Sequence, residues 1–80
     1  MSYYPLFLDL NDRPCVVIGG GRIAADKTHA LLEAHACVTV IAQDLIGSLA
    51  DLAAVGRIKH TARLYQAGDL AGSVLAISAT

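Results

Sequence analysis

The stretch Cys15-Val16-Val17-Ile18-Gly19-Gly20-Gly21-Arg22-Ile23-Ala24-Ala25-Asp26-Lys27 decides the fold. Its first four residues are apolar and mostly β-branched, which suits a strand covered on both faces. Three glycines follow without a break, and an alanine-rich segment with helical spacing opens at Ala24. Strand, glycine turn and helix in that order are the setting in which a glycine motif carries meaning. The motif reads G-x-G-x-x-A on Gly19, Gly21 and Ala24. Gly19 lets the chain leave the strand sharply, where a Cβ would clash. Gly21 leaves room for a pyrophosphate beside the backbone, and Ala24 lets the helix pack close to the strand. The helix N-terminus adds free N–H groups and the positive end of its dipole, which suit an anion. The plainer alternative is a glycine turn that binds nothing. The strand before it and the helix after it favour a dinucleotide.

On the N-terminal side, Leu6, Leu8 and Leu10 alternate with Phe7 and Asp9 and predict a short extended segment within residues 1–10. Asn11-Asp12-Arg13-Pro14 is turn chemistry. On the other side, the spacing predicts a helix from Arg22 to Ala34. A helical wheel places Ile23, Ala30, Leu31 and Ala34 on one face and Arg22, Asp26, His29 and Glu33 on the other. Lys27 then falls inside the apolar stripe. Its stem packs while the ammonium reaches solvent, or else its charge stands at the edge of the cofactor or pairs with a buried carboxylate. His35 occupies the place of a C-terminal cap glycine and should be left-handed.

Cys37 to Ile41 is the second strand. In dinucleotide-binding folds an acidic residue about 20 residues past the glycines grips the adenosine ribose. Here the corresponding stretch is Ala42-Gln43-Asp44. Asp44 also precedes a helical pattern, Leu45 to Val55, so it reads as that helix's N-cap, as a ribose contact, or as both. No Arg or Lys stands beside it to take a 2′-phosphate, which favours NAD over NADP. Gly56 closes the second helix. Arg57 to Ala62 is a third strand whose charges mark an edge. Ala67 to Leu70 reads as a short helical turn, and Ser73 to Ser78 as a buried fourth strand. The strands order 3-2-1-4, an α/β parallel sheet with flanking helices. Ligands bind such sheets at the switch point, here between strands 1 and 4 at their carboxyl ends. Gly19–Gly21 and Ala79–Thr80 both arrive there.

The totals narrow the classes further. Eighty residues make one small domain, and 55% of them are apolar with a mean hydropathy of +0.53. So apolar a chain expects its core to be covered by more protein. A net charge of −1 gives no footprint for nucleic acid. No apolar run reaches the length of a membrane span, and the N-terminus lacks a signal-peptide pattern. A cytoplasmic setting follows, in which Cys15 and Cys37, expected near each other on adjacent strands, stay thiols. His29, His35 and His60 lack the spacing of a metal site, and no metal is assigned to them.

Several blocks together resemble a known family: Tyr4-Pro5-Leu6-Phe7-Leu8-Asp9-Leu10, Val17-Ile18-Gly19-Gly20-Gly21-Arg22-Ile23-Ala24 with Lys27, Leu31-Leu32-Glu33-Ala34, Val38-Thr39-Val40-Ile41-Ala42, and Ala76-Ile77-Ser78-Ala79-Thr80. In order and almost without gaps, they resemble the NAD-binding N-terminal part of the siroheme synthase family, the precorrin-2 dehydrogenase/sirohydrochlorin ferrochelatases. The resemblance implies the first half of a Rossmann fold over residues 1–80, with dimerisation and helical domains further on. It implies NAD-dependent oxidation of the tetrapyrrole precorrin-2 to sirohydrochlorin, with iron insertion in many members, by a homodimer. It places the cofactor against the glycine turn with Arg22 and Ile23, against Gln43 and Asp44, and beside Ala79 and Thr80. This sequence departs from the family at His35, where Gly is usual, and at Gln43, where Pro is frequent. The family's catalytic aspartate lies past Thr80, so no residue here is assigned a catalytic role. Asp9, Asp26 and Asp69 are read as solvated or capping carboxylates. A rival reading is a nucleotide-sensing module without catalysis, and another is a βαβ domain without a ligand. Titration with NAD separates the last from the other two.

Overall fold

A computed structural model of the chain describes residues 10–64, 66, 68, 69 and 72–79. Strand β1 (Pro14–Ile18) leads through the glycine turn into α1 (Arg22–Glu33), then β2 (Cys37–Ile41), α2 (Gly47–Ala54), β3 (Lys59–Thr61) and β4 (Leu75–Ser78). The four strands form one parallel sheet in the order β3-β2-β1-β4, as the sequence predicts. The second strand has its expected bounds, β1 gains Pro14, and β3 and β4 are shorter than their sequence patterns. The predicted extended segment lies outside the described residues except for Leu10, as do the ends of the turn predicted at Ala67 to Leu70.

The helices share one face of the sheet. Cys15 and Val17 of β1, Val38 and Val40 of β2, Ala24, Ala25 and Leu31 of α1 and Leu49 of α2 form a single buried cluster. Side chains alternate along a strand, so Val16 and Ile41, also buried, belong to the opposite face. Fully buried side chains of this size each stabilise the fold by roughly 1.5–3 kcal/mol.

Two expectations about this core need correction. The buried stripe of α1 is Ala24, Ala25, Thr28 and Leu31, rotated from the predicted one, and Ile23 is 58% exposed. The rotation puts the smallest side chains against the sheet, where the helix comes closest. Lys27 is therefore half-buried at the border of the stripe instead of central in it. The fourth strand is not buried through its length. Leu75 and Ile77 pack on the core, while Ala76 and Ser78 are exposed among the described residues. The two cysteines are free thiols near each other on adjacent strands, as expected. Cys15 lies opposite Val38, and Pro14 opposite Cys37, so the thiols sit on opposite faces, one buried and one exposed.

Both helices end in the same way. His35 N–H donates to Leu32 C=O and Ala36 N–H to Leu31 C=O, at 2.9 and 3.1 Å. Gly56 and Arg57 repeat the pattern on Ala53 and Leu52, at 3.1 and 2.9 Å. These are Schellman caps, and each needs a left-handed residue at its centre. His35 has φ +62° and Gly56 φ +81°, as anticipated from their positions. Between β3 and β4, Asp69 is more than a solvated carboxylate. Arg63 clasps it with two hydrogen bonds of 2.7 and 2.5 Å, and Gln66 N–H donates to it at 2.6 Å. The Arg63 and Gln66 bonds hold its carboxyl down at about 2.

Candidate functional site

The carboxyl ends of β1, β2 and β4 meet at the glycine turn. Gly19 has φ +123°, a conformation that favours glycine, and its N–H donates to Ile41 C=O at 2.9 Å. Gly21 caps the N-terminus of α1 with extended backbone (φ −93°) that any residue could adopt. Its reason is space: a Cβ built there meets nothing within 4 Å. The open position lies against a helix end with no side-chain cap and no acidic residue in its first turn. The first main-chain bond of the helix is Ala25 N–H to Gly21 C=O, at 3.0 Å. The N–H groups of Arg22 and Ile23 therefore precede the helical ladder and are oriented for an external acceptor. An anion such as a pyrophosphate fits this arrangement. Both side chains are exposed, and Ala24 is fully buried against the sheet.

The turn after β2 is tied to the glycine turn by a residue outside the G-x-G-x-x-A pattern. A Cβ on Gly20 would overlap the carbonyl oxygen of Asp44 and approach Ala42 Cβ to 3.0 Å. Gly20 C=O in turn accepts a 2.9 Å hydrogen bond from Ile46 N–H. The two backbones thus touch across the carboxyl edge. Sequence reading missed both Gly20 and Ile46. The one available signal was that three glycines stand where the motif requires two.

Asp44 is not the N-cap of the second helix. That helix starts at Gly47, its N-cap is Ile46, and no side chain caps it. The bond from Ile46 to Gly20 places the helix start two residues later than the pattern suggests, so Gln43 and Asp44 lie in the connecting turn. Both are exposed there. Together with Leu45, three alanines of α2 and His60 of β3, they line an open cavity of about 460 Å³. His60 was not singled out in the sequence as part of this site. Its Nε2 lies 2.8 Å from Ala42 C=O.

Ala79 also belongs to this edge. Its N–H donates to Ile18 C=O at 2.9 Å, beside the start of the glycine turn. Thr80 lies outside the described residues. The site residues read from the sequence that are described therefore gather along one edge: Gly19, Gly21, Arg22 and Ile23 at the turn, Gln43 and Asp44 on one side of it, Ala79 on the other. Among the described residues no group of three His, Cys, Asp or Glu side chains could hold a metal ion. No helix among them is long and apolar enough to cross a membrane.

Comparison with known proteins agrees with this geometry. The chain is 46% identical over all 80 residues to a siroheme synthase of Methylobacillus flagellatus, of which it covers 17%. It is 44% identical over the same length to a siroheme synthase of Actinobacillus pleuropneumoniae, covering 16%. Among solved structures it resembles SirC, a precorrin-2 dehydrogenase, with a TM-score of 0.88 and 28% identity over 98% of this chain and 39% of that one. The chain thus spans under a fifth of the length of these siroheme synthases. Residues 6–80 match the family model NAD_binding_7, whose description is NAD(P) binding, and the chain belongs to that family.

Proposed function

We propose that the chain is the cofactor-binding segment of an NAD-dependent dehydrogenase that oxidises precorrin-2 to sirohydrochlorin in siroheme biosynthesis. The observation that carries this reading is the uncapped N-terminus of α1 beside the open face of Gly21, in a chain similar throughout to siroheme synthases and to a precorrin-2 dehydrogenase. The N–H groups of Arg22 and Ile23 hold the pyrophosphate, and Gly19 sets the turn that aims them. Gln43 and Asp44 face the adenosine ribose, with Asp44 accepting from a hydroxyl. Ala79, bonded to Ile18 beside the glycine turn, borders the cofactor. NAD⁺, when bound, supplies the hydride acceptor: precorrin-2 loses two hydrogens, one as the hydride and one as a released proton.

The preference for NAD over NADP rests on Asp44. It is exposed on the turn, and residues 42–48 contain no Arg or Lys. A carboxylate there accepts from a 2′-hydroxyl and repels a 2′-phosphate. Iron insertion, a homodimer and a cytoplasmic setting are carried by the family resemblance alone, and no described residue is assigned to them.

The test uses the intact protein. It is supplied with precorrin-2 and either NAD⁺ or NADP⁺, and sirohydrochlorin and the reduced nucleotide are followed together. Formation of both in equal amounts, faster with NAD⁺, is the expected outcome. Asp44→Ala should narrow the preference. Binding of NAD⁺ without any turnover would favour the nucleotide-sensing module, and absence of binding would sink both readings.

A further inference from the structure

Resting on the NAD-binding reading above, we infer that His60 is a positioning residue for the cofactor: it anchors the turn that presents Gln43 and Asp44. Three hydrogen bonds define that turn. At its start, both backbone groups of Ala42 are held by β3. Its N–H donates to Thr61 C=O at 3.1 Å, and its C=O lies 2.8 Å from His60 Nε2. At its end, Ile46 N–H is held by Gly20 C=O at 2.9 Å. Gln43, Asp44 and Leu45 span the gap between these anchors. Two of the three ties are backbone to backbone and persist through most substitutions. The third depends on one side chain.

The chemistry of the pair fixes its direction. A carbonyl oxygen only accepts, so Nε2 carries the hydrogen. His60 pairs in register with Val40, and from there its ring reaches forward to the carbonyl two residues beyond. It shares the cavity with Gln43 and Asp44, on the sheet face that carries α2. Without the tie, the start of the turn is held by one bond instead of two, and ordering it falls to the bound nucleotide. A solvent-exposed hydrogen bond of this kind corresponds to about a fivefold change in affinity.

The experiment compares His60→Ala and His60→Gln with the natural sequence in the intact protein. It measures NAD⁺ affinity, the KM for NAD⁺ against kcat, the melting temperature, and amide exchange at residues 43–45 without nucleotide. The expected result for His60→Ala is a KM for NAD⁺ raised about fivefold with kcat unchanged, and faster exchange at residues 43–45. His60→Gln, whose amide can still donate, should recover most of the affinity. Unchanged exchange and unchanged affinity in His60→Ala would overturn the inference. So would a lowered melting temperature with an affinity loss that glutamine does not rescue, because His60 would then only stabilise the sheet. Failure of the natural protein to bind NAD⁺ would instead refute the NAD reading, and the exchange comparison would still decide whether His60 holds the turn.

Discussion

At the scale of single residues, adjacent glycines have different duties. Gly20 is required by what surrounds it, because a Cβ would enter the Asp44 carbonyl. Gly21 is required by what is to come, because a Cβ there would touch nothing until a ligand arrives. Gly20→Ala should therefore lower the melting temperature of the intact protein by several degrees. Gly21→Ala should leave it within about 0.5 kcal/mol of the original stability while reducing NAD⁺ affinity at least tenfold. Calorimetric melting and a nucleotide titration on the same two variants check this. Equal effects of both changes on stability would count against the cradle. The cysteines diverge in the same local way. Burial first, and Cys37 second, pushes the Cys15 thiol above its ordinary value. A thiol reagent should modify Cys37 in the native protein and reach Cys15 only after unfolding, as mass spectrometry of timed samples would show. The folded state holds the Cys15 proton more tightly than the unfolded chain does. Its contribution is complete below the unfolded value of about 8.5 and declines as pH rises toward the folded value. Cys15→Ser should flatten the loss of stability measured in denaturant titrations across that alkaline window.

At the scale of elements, α1 shows how far periodicity reaches. Its limits were legible within one residue, because the glycine turn opens it and His35 replaces the expected cap. Its rotation was not, because Ile23 and Leu31 suggested one stripe while the sheet accepted another built from Ala24, Ala25, Thr28 and Leu31. Alanine has little hydrophobic weight on a helical wheel. It wins here through closeness of approach, which a wheel does not measure. The price of that geometry falls on Thr28, fully buried with no hydrogen-bond partner for Oγ1 among the described residues. Thr28→Val keeps the branched shape and removes the unsatisfied hydroxyl, so it should stabilise the protein by about 1 kcal/mol in denaturant titrations. Destabilisation by the same change would mean that the hydroxyl has a partner. The second helix was misjudged at its start for a different reason. An acidic residue before an apolar run is a sound N-cap signal, but the tertiary bond from Ile46 to Gly20 selected a later start. That bond joins residues far apart in sequence, and local reading carries no information about it.

At the scale of the whole molecule, the strand order and the convergence of the glycine turn, the β2–α2 turn and Ala79 on one edge were legible from the alternation of strands and helices alone. What the sequence did not disclose is that this edge is a connected unit. Gly19 is bonded to Ile41, Ala79 to Ile18, and Ile46 to Gly20. The opposite edge holds the two Schellman caps and the Leu10–Arg13 turn, linked by bonds such as Asp12 N–H to His35 C=O. The separation predicts where a bound nucleotide should be felt. A ligand that binds only the folded state stabilises it by about 2.7 kcal/mol at a hundredfold excess over Kd. Local openings of the segments that touch it are suppressed most directly. With NAD⁺ present, amide exchange should slow together at residues 19–25 and 43–46, because the Gly20–Ile46 bond makes either turn open at the other's expense. Amides of His35, Ala36, Gly56 and Arg57 should change far less, since the caps they close stand at the far ends of the helices. Mass-resolved hydrogen exchange on the intact protein, with and without NAD⁺, distinguishes the possibilities. Protection of the glycine turn alone would show that the two turns move independently, and the shared bond would then be structural without linking them. Uniform protection of both edges would mean that exchange proceeds only through global unfolding, with the carboxyl edge having no separate opening of its own.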